Sequence, residues 1–141
     1  MANSQGSCPE CGAALDDGLR CWGLFEWVLA WEVDDSELAA EHFFTVACYN
    51  LQHPAQFTNE ALAWLRSALI DALDNGVPAS ELRRRAARGF NGPQRVLRPK
   101  LEREPALHRW AMTIGDVYLH SNPDGAAGRV REWAAAIRQE L

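Results

Sequence analysis

No apolar run in this chain approaches the roughly 18 residues of a membrane-crossing helix, which excludes a helical span. The start, Met1-Ala2-Asn3-Ser4, lacks the basic and apolar regions of a secretory signal, so a cytoplasmic location is expected. Positive charge is scarce too: 14 Lys and Arg stand against 19 Asp and Glu, a net charge of -5. That balance excludes coating nucleic acid by bulk electrostatics. There is no nucleophile elbow, no phosphate-binding glycine loop, no dinucleotide fingerprint and no internal repeat, which removes the enzymes and solenoids that such motifs mark. The 141 residues leave room for one core and not for two ordinary domains, so a single domain over residues 1–141 is expected.

What is present is globular in balance, with 48% hydrophobic and 23% charged residues. Six Trp concentrate buried area and indole N–H groups in few places. Of four cysteines, three fall near the start: Cys8-Pro9-Glu10-Cys11-Gly12, then Cys21. Two residues between thiols let both sulfurs converge on one ion, and Gly12 tolerates the backbone that such a knuckle demands. Asp16-Asp17-Gly18 is a turn signal that carries the chain back so that Cys21 arrives as a third ligand. A reducing compartment favours metal ligation or redox chemistry over a structural disulfide, and zinc is the expected ion. Residues 1–7, small and polar, are expected to be mobile up to the first ligand.

Residues 22–33 are apolar nearly all round, with Leu24, Trp27, Val28 and Trp31 at helical spacing, and predict a central helix. Asp34-Asp35-Ser36 breaks it and caps a second helix that should run to about His53 before Pro54 stops it. On that helix His42, Val46, Tyr49 and His53 share one stripe. The two histidines lie about 16 Å apart and cannot share an ion. In an antiparallel hairpin His53 approaches Cys21, while His42 faces Val28. The expected site is Cys8, Cys11, Cys21 and His53, with His42 as the substitute fourth ligand and Gln52 as support for the imidazole. Glu32 and His42 are also expected to form a buried pair across the turn.

The ordered set of Cys8-Pro9-Glu10-Cys11-Gly12, Cys21-Trp22, Glu32, His42 and Tyr49-x-x-Gln52-His53-Pro54 resembles an uncharacterised bacterial family, a domain of unknown function. The resemblance extends to Thr113-Ile114-Gly115-Asp116-Val117 and Val130-Arg131-Glu132-Trp133-Ala134, most of the chain. It implies a fold type and a metal site and supplies no activity. The family often has an acidic residue at the position of Ala47 and a His-Leu pair at Trp64-Leu65, departures that speak against a second polar cluster here.

Beyond Pro54, Thr58 or Asn59 caps a helix through Ala61, Leu65 and Leu69 that stops at Asn75-Gly76. Pro78-Ala79-Ser80-Glu81 opens an arginine-rich helix that ends at Gly89. Residues 90–105 lack periodicity, with Gly92-Pro93 and Arg98-Pro99 marking an irregular connection. Thr113-x-x-Asp116 is a capping box for a short helix through His120, and Asn122-Pro123-Asp124 starts a last one whose stripe is Val130, Trp133, Ala134, Ile137 and Leu141. The expected fold is all-α, a small bundle of about five to six helices (residues 22–141) with a zinc knuckle (residues 1–21) packed on a helical hairpin.

Residues 83–103 hold Arg83, Arg84, Arg85, Arg88, Arg95, Arg98, Lys100 and Arg103, opposed there only by Glu102. This stretch is either a solvated, internally paired face or a surface for a partner, and Arg83, Arg84, Arg88, Arg95, Arg98 and Lys100 are the candidate contacts. His108 and His120 have no metal-ligand spacing, and Cys48 reads as a small core residue. Two function classes remain. One is a non-enzymatic interaction or adaptor module with another protein as partner, a nucleic acid or phosphate ligand being the lesser expectation and a membrane none. The other is a metal-dependent helical-bundle enzyme using Glu32, His42 and Tyr49. Three thiolates favour the first, because cysteine-rich tetrahedral sites are usually closed.

Overall fold

Side-chain capping sets the helix boundaries. Asp35 accepts from the Leu38 amide at 3.0 Å to start one helix, Thr58 accepts from Ala61 at 3.2 Å to start another, and Gly76, in the left-handed region, ends the latter. The computed structural model describes residues 6–15, 17–90 and 95–141. Asp16 of the predicted turn, Gly92-Pro93 and the first five residues expected to be mobile lie outside them. The α-helices are α1 (Cys21–Trp31), α2 (Ser36–Ala40), α3 (His42–Gln52), α4 (Asn59–Asn75), α5 (Ala79–Gly89), α6 (Ile114–Tyr118) and α7 (Ala126–Gln139). Two isolated β-bridges, Ser7 with Ala14 and Phe57 with Leu97, stand in place of strands among the described residues. The all-α expectation holds.

α7 is the central element. It packs on α2, α3, α4 and α6, and Val130, Trp133, Ala134 and Ile137 of its predicted stripe are buried. The fully buried Trp133 donates its indole N–H to Gln52 Oε1 at 3.2 Å, and the Gln52 amide donates to the Met112 carbonyl at 2.7 Å. One side chain thus satisfies the buried indole N–H and a half-buried carbonyl. Arg131 pairs with Glu41 at 2.7 Å and Arg138 with Asp74 at 2.8 Å, tying the exposed rim of α7 to its neighbours.

The structure departs from several expectations. The single helix predicted from Asp35 to His53 breaks at Glu41, which closes α2 and precedes α3. The Thr45 hydroxyl donates to the Glu41 carbonyl at 3.3 Å, a side-chain bond of the kind that bends helices. α1 is not buried all round: Leu24, Phe25 and Val28 face inward against α6 and α3, whereas Trp22 and Trp27 are 56% and 51% exposed. Gln52 is spent on Trp133 and Met112 and does not support His53. The capping box at Thr113 forms, with the Asp116 carboxylate accepting from the Thr113 amide at 2.8 Å, but α6 stops at Tyr118 because Leu119, His120 and Ser121 all adopt positive φ. α7 starts at Ala126 and not at Asn122, since Gly125 (φ 78°) interrupts the turn. The Asn122 side chain instead accepts from the Asp124 amide at 3.0 Å. Ser7, expected to be mobile, is bridged to Ala14.

Replacing Gln52 with Leu would leave the buried Trp133 N–H and the half-buried Met112 carbonyl without this partner. The expected loss is about 2–4 kcal/mol of stability, read from urea unfolding.

Candidate metal centre

The knuckle is built by backbone geometry before any side chain converges. The Gly12 amide donates to the Cys8 carbonyl at 3.0 Å, and the Cys8 amide donates to the Ala13 carbonyl at 2.8 Å. The amides of Glu10 and Cys11 point at Cys8 Sγ at 3.4 and 3.5 Å, an arrangement that stabilises a thiolate. Gly12 suits the turn because its φ of +78° is left-handed, and an added Cβ would also crowd the Arg109 side chain at 3.3 Å. Beyond the turn at Asp17 and Gly18 the chain enters α1, whose first residue is Cys21. The Tyr118 hydroxyl donates to Asp17 at 2.7 Å and holds that turn against α6.

His53 comes from the other side, at the end of α3, where Pro54 forces the chain out of the helix. Its Nδ1 donates to the Tyr49 carbonyl at 2.7 Å, which directs Nε2 toward Cys8 Sγ at 3.6 Å. The ring stacks on Tyr49, which stacks in turn on Phe25, each pair 4.1 Å apart. Cys11 Sγ and Cys21 Sγ lie 3.6 Å apart. The ligand atoms of Cys8, Cys11, Cys21 and His53 all fall within 4.8 Å of one another, and all four residues are buried. Three soft donors and one imidazole around a common centre can hold a transition-metal ion.

His42 is elsewhere. Its Nδ1 lies 2.9 and 3.0 Å from the two carboxylate oxygens of Glu32, the residue that closes α1. The Glu32–His42 pair forms as expected but is not buried, since the His42 side chain is half exposed. Tyr49 sits in the aromatic stack at the cysteine end and not with this pair. His108 bonds Glu140 at 3.0 Å, and Cys48 is a core thiol whose burial pushes its pKa far up.

In the basic stretch, Arg84 and Arg85 both pair with Glu81, and Arg85 also with Asp71 at 3.0 Å. Arg98 donates to the Phe57 carbonyl and to Asn59, both at 2.7 Å, and so pins the irregular connection to the start of α4. Arg83, Arg88, Arg95 and Lys100 are exposed. Part of the stretch is therefore internally paired.

One participant was missed in the sequence: Glu10, inside the knuckle. Its Oε2 accepts from the Ala55 amide at 3.0 Å, and its carbonyl accepts from His108 at 2.9 Å. It straps the loop to the segment just past His53. Its place between the two cysteines is the only local signal, and its partner lies 45 residues away.

Hydrogen bonds couple Cys8, Cys21 and His53. Hydrogen bonds from Cys11 and then Cys21 hold the Cys8 thiol far below its ordinary range, against burial and with help from His53. Hydrogen bonding to Cys11 and Cys8, with burial, pushes Cys21 far up. Burial favours neutral His53, but the Cys11 and Cys8 sulfurs and the Tyr49 carbonyl together override it and raise the imidazole to about 10. Hydrogen bonding within the cluster thus favours the charged forms of Cys8 and His53 side by side.

The fold and this site define a class: a helical bundle carrying a buried Cys3His cluster of metal-ligand geometry. Over residues 6–141 the sequence matches a family described as a family of unknown function, DUF5946, and the chain belongs to it. No curated protein and no solved structure matches the chain.

The proton on His53 gives a signed expectation for chelated protein. Its folded pKa is raised from 6.5 to about 10, so its contribution to stability is full below about pH 6.5 and is lost as the pH rises through 10. The lowered Cys8 thiol contributes with the opposite sign up to its ordinary value of 9.0, so the melting temperature measured in chelator should stay nearly level between pH 7 and 9 and fall above pH 9.

Proposed function

We propose that this chain is a single, zinc-stabilised helical domain that works as a non-enzymatic interaction or adaptor module in the cytoplasm. The observation that carries the reading is the closed donor set of Cys8, Cys11, Cys21 and His53. With zinc–sulfur bonds near 2.3 Å and zinc–nitrogen bonds near 2.05 Å, a tetrahedral ion sets sulfur–sulfur edges of about 3.8 Å and sulfur–nitrogen edges of about 3.6 Å. The Cys11–Cys21 and Cys8–His53 separations of 3.6 Å are compatible with those edges. Four protein donors leave no position for a substrate water, the mark of a structural site. Four thiols that remain free suit a reducing compartment, and among the described residues no helix is long and apolar enough to cross a membrane.

Zinc here supplies no reaction. It joins the knuckle, the start of α1 and the end of α3, with Tyr49 fixing the tautomer of His53 and Glu10 bracing the loop. A second reading, a helical-bundle enzyme, draws on the Glu32–His42 pair. There both carboxylate oxygens hold Nδ1 of a half-exposed imidazole, the posture of a histidine whose other nitrogen serves a ligand. The two readings separate by coordination. X-ray absorption of the zinc protein should show three sulfur neighbours and one nitrogen. An oxygen neighbour would transfer the case to the enzyme.

Protein purified without a histidine tag should carry about one zinc per chain, absent in Cys11→Ser, and chelation should lower its melting temperature. A stable wild-type protein free of metal would refute the proposal. His53→Ala should also strip the metal, whereas His42→Ala should retain it. Protons compete for the same ligands, so zinc release on acidification, followed with a chromogenic chelator, should rise as the pH falls.

A further inference from the structure

α1 leaves a share of its large side chains outside. Trp22 and Trp27 are both more than half exposed on one rigid helix, in a chain that buries Trp133 completely. Trp27 and Trp31, one turn apart, line a groove of about 530 Å³ whose far wall is Pro123, Asp124 and Gly125 and whose end is Asp34 and Asp35. Both walls are held. Trp31 stacks nearly parallel on Tyr118 at 5.8 Å, and the Arg129 guanidinium donates to the carbonyls of Val117, Asn122 and Asp124 behind the far wall. No Lys, Arg or His lines the groove.

We propose that the groove over Trp27 and Trp31 receives an arginine side chain from an extended, cationic segment of another protein. An indole face attracts a guanidinium through its quadrupole, and the attraction grows when the pair is desolvated. Asp34 and Asp124, both exposed at the groove, supply carboxylates for the N–H groups left over. Exposed tryptophans of this kind commonly anchor interfaces. The charges decide the occupant. An uncharged ligand would desolvate these carboxylates without compensation, and phosphate would be repelled. A second copy docked through the same face would bring the Asp34, Asp35 and Asp124 set of one groove against the same acidic set of the other, in a protein that already carries a net charge of -5.

This inference rests on the interaction-module reading but not on the metal. The probe is a peptide of about twelve residues alternating Arg and Gly, titrated into the zinc-loaded full chain while the tryptophan indole N–H resonances are followed. A peptide with Glu in place of Arg is the control. The Arg peptide should shift the Trp27 and Trp31 signals saturably. Trp27→Ala should weaken binding at least tenfold, Trp27→Phe should restore most of it, and Asp34→Asn with Asp124→Asn should weaken it severalfold. Equal affinity in Trp27→Ala would reduce the effect to general charge attraction and overturn the inference. So would equal binding of the Glu peptide, or sedimentation showing self-association that Trp27→Ala abolishes. Zinc content is measured in every sample. Lost peptide binding with one zinc retained condemns the docking surface alone, and a metal-free protein that still binds the peptide through Trp27 condemns only the zinc reading.

Discussion

The meeting of three sulfurs and one imidazole at a single buried point is the constraint on which the N-terminal third depends. Residues 6–15 carry too few large apolar side chains to hold themselves by burial; besides the two cysteines, Ala13 is enclosed and Leu15 partly so. Their position comes from directional bonds: the knuckle turn, the Glu10 strap to Ala55 and the backbone bond from His108. Four polar donors drawn out of water must share protons or an ion, since none can be left uncompensated. Whatever occupies that centre fixes where α1 begins relative to where α3 ends.

The remainder of the bundle follows a more ordinary physics of apolar burial with its polar groups satisfied. Trp133 fills the centre, and Gln52 is the hinge of its hydrogen bonding, reaching back to Met112. No buried side-chain nitrogen or oxygen among the described residues lacks a partner. The aromatics divide by role: Phe25 and Tyr49 stack toward His53, Trp31 stacks on Tyr118, and Trp22 and Trp27 face outward. A helix such as α1, sandwiched on one side only, is thus both a wall of the metal centre and an exposed surface.

Charge on this protein is organised more than its net value suggests. Several arginines of residues 83–103 turn inward to nearby carboxylates or carbonyls, so a basic run in the chain becomes a set of local braces. The acidic excess is left partly at the groove beside α1, whose described lining holds Asp34, Asp35 and Asp124 and no cationic side chain, Arg129 lying behind its far wall. The two surfaces therefore differ in what they can recruit, although both are written in the same strongly charged alphabet.

Local chemistry made much of this legible in one dimension. Cys8-x-x-Cys11-Gly12, the stop at Pro54, the caps at Asp35 and Thr58, Gly76 and the Thr113-Asp116 box each act within a few residues, so their outcome is set by neighbours in the chain. The choice of His53 over His42 was also within reach, because helical rise alone separates them by about 16 Å and only one can lie near Cys21. Tertiary structure decided the rest. The break at Glu41, the outward turn of Trp22 and Trp27, the capture of Gln52 by Trp133 and the strap from Glu10 to Ala55 all depend on which distant group arrives opposite a residue. Spacing along a chain carries no record of that arrival, since a hydrogen bond across 45 or 81 residues is chosen by packing.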